Sequence, residues 1–197
     1  VQGTTDNFSN TGWNVDLLPS FSTVDDVGFF RSLISYFKSN YNVANDKIFS
    51  AGMSLGGFMS YRLACELEEI NSIGSVTGSM SGYYSCSPPN KKNIIHFHGT
   101  ADTVVPYNGS DWTRSATNAH NFWSDFNNCN NTSEINLPDL NNDGTTSSVK
   151  ISNDCEDGTI VQLYTLPGEG HTWFKREWGH DISSSITIWN FFKNQIE

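Results

Sequence analysis

Three residues in this chain have the types and settings that activate a serine for acyl transfer. Ser54 stands in Gly52-Met53-Ser54-Leu55-Gly56, directly behind an apolar run and directly ahead of a helical pattern. A serine on so tight a strand-to-helix turn is lifted clear of its sheet, and small neighbours must flank it. Ala51, Gly52, Gly56 and Gly57 supply them. A hydroxyl is a weak nucleophile at neutral pH and needs an adjacent base. His171, in Gly168-Glu169-Gly170-His171, follows a strand pattern on a glycine-rich turn. Asp102, closing His98-Gly99-Thr100-Ala101-Asp102, follows the strand before it. Such a carboxylate accepts the second ring N–H, fixes the tautomer and stabilises the imidazolium. In open parallel sheets these groups converge at the carboxyl ends of strands. The serine motif alone is a weak signal; the ordered set of three is a strong one.

The competitors fit less well. His96 and His98 alternate within a strand and read as structural, His120 falls in a helix, and His180 lies beside the start of the last helix. Asp139, Asp143, Asp154 and Asp157 all sit in a polar stretch. An oxyanion needs two N–H donors. One is the backbone N–H of Leu55; the other ordinarily comes from a His-Gly loop after an earlier strand. No such loop precedes Ser54, and His98-Gly99 leads into Asp102 instead. Trp173, two residues from His171, is a candidate substrate wall, whereas Trp13 and Trp178 read as packing. Asp139, Asn141, Asp143 and Gly144 match the opening of a calcium loop. Lys150 occupies the place of its bidentate glutamate, so a polar turn and no metal are expected.

The elements that must carry these residues read as alternating strands and helices. Residues 1–22 are polar and loop-like. Val27, Phe30, Ile34, Phe37 and Tyr41 recur at helical spacing, with Thr23 and Asp26 able to cap the start. Strands are expected at 47–51, 72–77, 93–98 and 160–166. Helices are expected after Ser54 (Phe58, Tyr61, Arg62, Cys65), at Ala119, Phe122, Trp123 and Phe126, and at Ile182, Ile186, Trp189, Phe192 and Ile196. Residues 127–159 read as a long polar insertion. Strands alternating with helices imply a parallel sheet covered on both faces.

At 197 residues, a single domain spanning 1–197 is expected, and 37% hydrophobic content suffices for its core. A net charge of −10 argues against nucleic acid and anionic membranes as partners and favours solubility. Cys65, Cys86, Cys129 and Cys155 lack zinc spacing, so two disulfides and an oxidising compartment are expected. Three pairings are possible; Cys65–Cys86 with Cys129–Cys155 closes the shorter loops. Neither a transmembrane run nor a signal peptide is visible.

Val24-Asp25-Asp26-Val27-Gly28-Phe29, the Ser54 turn with Tyr61 to Cys65, His98 to Asp102 through Pro106-Tyr107, and Gly170-His171-Thr172-Trp173 together resemble the polyhydroxybutyrate-depolymerase-like esterases. That group includes the feruloyl and acetylxylan esterases of carbohydrate esterase family one. The resemblance runs from about residue 12 to the end. It implies an α/β-hydrolase fold, mostly parallel with helices on both faces, and a secreted (extracellular or periplasmic) enzyme. It further implies no cofactor, a triad of Ser54, Asp102 and His171, an acyl-serine, and cysteines paired as in the family. Two departures stand out. His-Thr-Trp is usually followed by Pro-Gly, where this chain has Phe174-Lys175. Family members also carry further strands and the His-Gly oxyanion loop ahead of the point where this chain begins; Val1-Gln2-Gly3 resembles the tail of the next strand. An N-terminally short hydrolase fold is therefore expected.

The expected activity is hydrolysis of a small-molecule or polymer ester: a feruloyl or acetyl ester of plant cell walls, or alternatively a polyester. A catalytically impaired hydrolase-fold protein that binds a ligand or glycan is the alternative of another class.

Overall fold

The computed structural model describes Gly3, residues 11–17 and residues 22–196. Most of the polar segment 1–22, including Val1 and Gln2, lies outside the described residues. Among the described residues six strands form one sheet: β1 (Ile48–Met53), β2 (Ile70–Val76), β3 (Asn93–Gly99), β4 (Asn131–Asn136), β5 (Ser148–Asn153) and β6 (Val161–Leu166). Their order is β1-β2-β3-β6-β5-β4. The first four in that order run parallel, and β5 and β4 add antiparallel. Helices α1 (Asp26–Asn40), α2 (Leu55–Glu66), α3 (Ala116–Phe126) and α4 (Ser184–Lys193) complete the frame.

The period-two alternation of the strands sorts side chains between two cores. In β3, Ile94 joins the core beneath α2 and α3, whereas Ile95 and Phe97 join the core beneath α4. Ser50 of β1 bonds Ser60 of α2 (2.9 Å), while its neighbour Phe49 stacks on Phe192 of α4 at 4.8 Å. Parallel strands buried on both faces require this double apolar patterning. Lys92 is buried below the C-terminal end of α2, where its ammonium donates to the carbonyls of Leu67 (2.9 Å) and Glu68 (3.2 Å). Burial lowers its pKa to about 8.

Two disulfides are present, Cys65–Cys86 and Cys129–Cys155. The first ties α2 to the loop after β2; the second ties the end of α3 to the end of β5. Loops of this length give about 3 kcal/mol each in the chain-entropy picture.

The structure departs from the sequence pattern in four places. The cap of α1 is Asp25, whose Oδ1 accepts from the Gly28 N–H at 2.8 Å. Asp26 is instead buried and accepts from the Asn14 N–H at 2.6 Å, so an internal tie takes the place of the Thr23 capping box. The apolar stripe of α1 is only partly used. Val27 is buried, while Phe37 and Tyr41 remain 43% and 58% exposed. This helix leans on α2 beside the edge strand β1, and an apolar cavity of about 390 Å³ lies between Phe30, Ile34, Phe37, Ile48 and Phe49.

Residues 127–159 are more than an insertion, since they carry β4 and β5. Asn131–Asn136 has no buried residue, so an edge strand of Asn, Thr, Ser and Glu leaves no apolar signature to read. Finally, of the residues expected to mark α4, Phe192 is buried but Ile186 and Trp189 are not. Ile188, Phe191 and Phe192 are buried, whereas Ile186 and Trp189 are 61% and 60% exposed. The helix has two apolar stripes, and the sheet selects one: β2 offers Gly74, against which the Ile188 side chain sits so closely that a Cβ there would meet it at 3.0 Å.

This choice of face is testable by urea denaturation. Ile188→Ala is expected to cost about 2–5 kcal/mol, as for a buried aliphatic truncation. Ile186→Ala is expected to stay within about 0.5 kcal/mol.

Candidate active site

Ser54 lies between β1 and α2 with φ 53° and ψ −122°, an unusual backbone for a residue with a side chain. Two close approaches hold the turn. A Cβ on Gly52 would meet the Gly56 backbone at 2.5 Å, and one on Gly57 would meet Ser75 Oγ at 2.3 Å. The Ser54 N–H donates to the Val76 carbonyl at 2.9 Å, and the Ser54 carbonyl accepts from the Phe58 N–H at 3.0 Å. Gly56 itself has open space where a Cβ would stand, and Ala51 is exposed, so neither is sterically required. Gly78 is: a Cβ there would meet Ser54 O at 2.5 Å. Nothing in the sequence around Ser54 pointed to a glycine after β2.

Asp102 follows β3, and its side chain is fully buried. Its Oδ1 accepts from the N–H groups of Val104 (2.9 Å) and Val105 (2.8 Å). Its Oδ2 faces His171 Nδ1 at 2.8 Å and His98 Nε2 at 3.5 Å. His171 follows β6 by a turn in which Gly168 has φ 74°. The turns after β3 and β6 are clamped together by backbone. Thr100 N–H donates to Leu166 O and Ala101 N–H to Glu169 O, both at 2.9 Å. Gly168 N–H donates to Thr100 Oγ1 at 2.9 Å. At Gly99 any Cβ would meet Glu169 O at 2.2 Å, so only glycine lets the two turns approach this far.

The structure therefore brings Asp102 and His171 into contact and puts Ser54 at the same carboxyl edge of the sheet. Three strand spacings separate β1 from β6, roughly 14 Å at the usual pitch. Among the described residues no hydrogen bond joins Ser54 Oγ to the His171 ring. Leu55 is the first residue of α2, where backbone N–H groups lack intrahelical acceptors.

Trp173 Nε1 donates to Ser185 Oγ (2.9 Å), and its ring packs on the core beneath α4. Trp13 packs 5.0 Å from Phe30, and Trp178 lies under the Lys175 ammonium. His180 Nδ1 pairs with Glu169 Oε1 at 2.8 Å, an outer brace on the turn that carries His171. In the calcium-like stretch Asp139 Oδ2 accepts from Gly144 N–H, and Asn141 Oδ1 from Asp143 N–H, both at 3.0 Å, while Asp181 Oδ1 accepts from the Leu140 N–H at 2.7 Å. Among the described residues no group of three or more His, Cys, Asp or Glu could hold a metal ion. No helix among them is long and apolar enough to cross a membrane.

Three histidines are depressed below their ordinary value of 6.5, chiefly by burial: His96 strongly, His98 and His120 less so. Groups that bind protons more tightly unfolded than folded make stability rise with pH. Their contribution is full above the unfolded value of 6.5 and is lost progressively as pH falls from there through their lower folded-state values. Urea midpoints measured from pH 8 to pH 5 are expected to decline below about 6.5, and a flat profile would contradict the neutral assignment of these rings.

Comparison with known proteins agrees with the motifs. Over 190 residues the chain is 27% identical to feruloyl esterase B of Piromyces equi, covering 89% of this chain and 34% of that protein. It is 20% identical over 156 residues to the bifunctional acetylxylan esterase/xylanase XynS20E of Neocallimastix patriciarum, covering 75% of this chain and 21% of that one. It is also 30% identical over 105 residues to probable feruloyl esterase C of Aspergillus niger, covering 52% and 36%. The chain thus spans about a third or less of the length of these curated relatives. The crystal structure of esterase PE8 superposes with a TM-score of 0.51 at 16% identity, over 82% of this chain and 58% of that one. Identity that low speaks to fold, and the fold is α/β-hydrolase-like. No protein-family model matches the chain. The chain is similar to feruloyl and acetylxylan esterases over most of its own length.

Proposed function

We propose that this chain is a serine carboxylic ester hydrolase working through Ser54, His171 and Asp102. The observation that carries the reading is the 2.8 Å contact between His171 Nδ1 and the buried Asp102 carboxylate. It leaves the opposite ring nitrogen, Nε2, available to the sheet edge where Ser54 sits. In the reaction, Ser54 Oγ attacks the ester carbonyl while His171 Nε2 takes its proton. The same proton then passes to the leaving alcohol, and an acyl-serine remains. Water, activated by His171, hydrolyses that acyl group. Asp102 holds the ring in the required tautomer and stabilises its charged form. The Leu55 N–H faces the developing oxyanion, a donor of the kind worth roughly 3 kcal/mol of barrier.

The named activities of the relatives favour feruloyl or acetyl esters of plant-wall polysaccharides as substrates, with polyesters as the further possibility within the same chemistry. Two disulfides and the net charge of −10 suit a protein working outside the reducing cytosol on a soluble or polymeric ester. A second reading, a hydrolase fold that binds an ester or glycan without turnover, is favoured by one observation. Ser54 Oγ makes no hydrogen bond to His171 among the described residues.

The two readings separate in one assay. Wild-type protein is expected to hydrolyse p-nitrophenyl acetate and methyl ferulate, and Ser54→Ala to lower kcat by about a thousandfold or more. Hydrolysis undiminished in Ser54→Ala overturns the mechanism. No turnover together with no labelling of Ser54 by a fluorophosphonate establishes the binding protein instead.

A further inference from the structure

A chain of buried polar groups that the mechanism above leaves unused runs from the helix of Ser54 to the turn of Asp102. Tyr61 of α2, and His96 and His98 of β3, are all buried. Tyr61 Oη lies 3.0 Å from His96 Nδ1, His96 Nε2 lies 3.0 Å from His98 Nδ1, and His98 Nε2 lies 2.8 Å from the carbonyl oxygen of Val105. The two rings share a strand face because they stand two residues apart.

The proton positions in this chain follow from its far end. A carbonyl only accepts, so His98 Nε2 must carry a hydrogen. With His98 neutral, its Nδ1 is bare and accepts from His96 Nε2–H. His96 Nδ1 is then bare in turn and accepts from the Tyr61 hydroxyl. Burial is the main influence keeping both rings neutral, and for His96 the neighbouring His98 and His120 act in the same direction. The Gly78 carbonyl on His96, and the Val105 carbonyl and Asp102 on His98, oppose it. Any reversed link would set two hydrogens or two lone pairs face to face. The chain has one direction, from α2 to Val105, and every ring nitrogen in it is satisfied.

The chain meets the site at Val105 and, more distantly, at Asp102 Oδ2 itself, 3.5 Å from His98 Nε2. The Val105 carbonyl accepts from His98, and the Val105 N–H donates to Asp102 Oδ1 at 2.8 Å. The two contacts sit on successive peptide units joined at the Val105 Cα, so holding the carbonyl restrains the N–H beside it, and with it the rotation of the carboxylate and the aim of Oδ2 at His171. We infer that His98, oriented by His96 and Tyr61, is a positioning residue that sets the Asp102 carboxylate for its bond to His171. The inference rests on the Ser54–His171–Asp102 reading. Apolar residues of similar volume would fill this core without a hydrogen-bond requirement, whereas a polar chain specifies a single arrangement of the groups it joins.

The test compares wild type with Ser54→Ala, His98→Phe, His98→Gln and Tyr61→Phe. One readout is proton NMR of the low-field hydrogen in the His171–Asp102 bond, and the other is kcat and KM on p-nitrophenyl acetate. Wild type and Ser54→Ala are both expected to show the low-field proton, which makes the readout independent of turnover. His98→Phe keeps the ring volume but removes the donor and the acceptor. It is expected to broaden or lose that proton and to lower kcat roughly ten- to a hundredfold with KM little changed, the scale of a misaligned catalytic group. His98→Gln, which retains a donor for Val105 and an acceptor for His96, is expected to recover most of both. If His98→Phe does not fold, Tyr61→Phe takes its place, with a weaker effect expected in the same direction. The inference is overturned if the folded variant keeps the low-field proton and kcat, even with a lowered melting temperature. A wild type lacking the low-field proton overturns it as well. Hydrolysis surviving in Ser54→Ala would sink the serine mechanism and is read separately from the NMR signal.

Discussion

The hydrogen bond between Asp102 and His171 is the contact around which the rest of the structure is arranged. It joins residues 69 apart in sequence, carried on turns after two neighbouring parallel strands. Neither turn reaches the other without the bare backbone of Gly99, since a side chain there would collide with the Glu169 carbonyl. The carboxylate is fully buried, and two backbone N–H groups and two histidine rings surround it. A buried charge is tolerable only with such partners.

The serine turn is built by a different device. Backbone approach, rather than side-chain hydrogen bonding, sets its geometry. Gly57 lets α2 settle on β2, Gly78 makes room for the Ser54 carbonyl, and the Ser54 N–H is tied to Val76. The α2 helix then serves two ends. Its first residue follows Ser54 directly, and two turns later Tyr61 begins the chain of neutral histidines that ends at Val105. The sheet makes this economical, because His96 and His98 face α2 while Ile95 and Phe97 face α4.

Much of this was legible in the sequence because it follows local rules. The strand–glycine–serine–glycine–helix run, the strand endings at Asp102 and His171, and the parallel core were all readable from spacing. What was not legible depends on tertiary choices. Two apolar stripes on α4 are equivalent until Gly74 of β2 admits Ile188. An edge strand such as Asn131–Asn136, with both faces wet, carries no alternation and reads as loop. Asp26 looks like a cap residue until Asn14 claims it. Gly56 looks obligatory within the motif and is not, while Gly78 is distant in sequence and is needed. His96 and His98 read as structural from strand alternation alone, and only the fold shows the path joining them to Asp102.

The central claim is that Ser54 forms a covalent acyl intermediate supported by His171 and Asp102. The most direct measurement is mass spectrometry of the protein after rapid acid quench with p-nitrophenyl acetate. The account predicts an acetyl increment on the peptide containing Ser54, formed at the rate of the first turnover and absent from Ser54→Ala. Steady hydrolysis with no acyl adduct on Ser54, or an adduct on another residue, would contradict it.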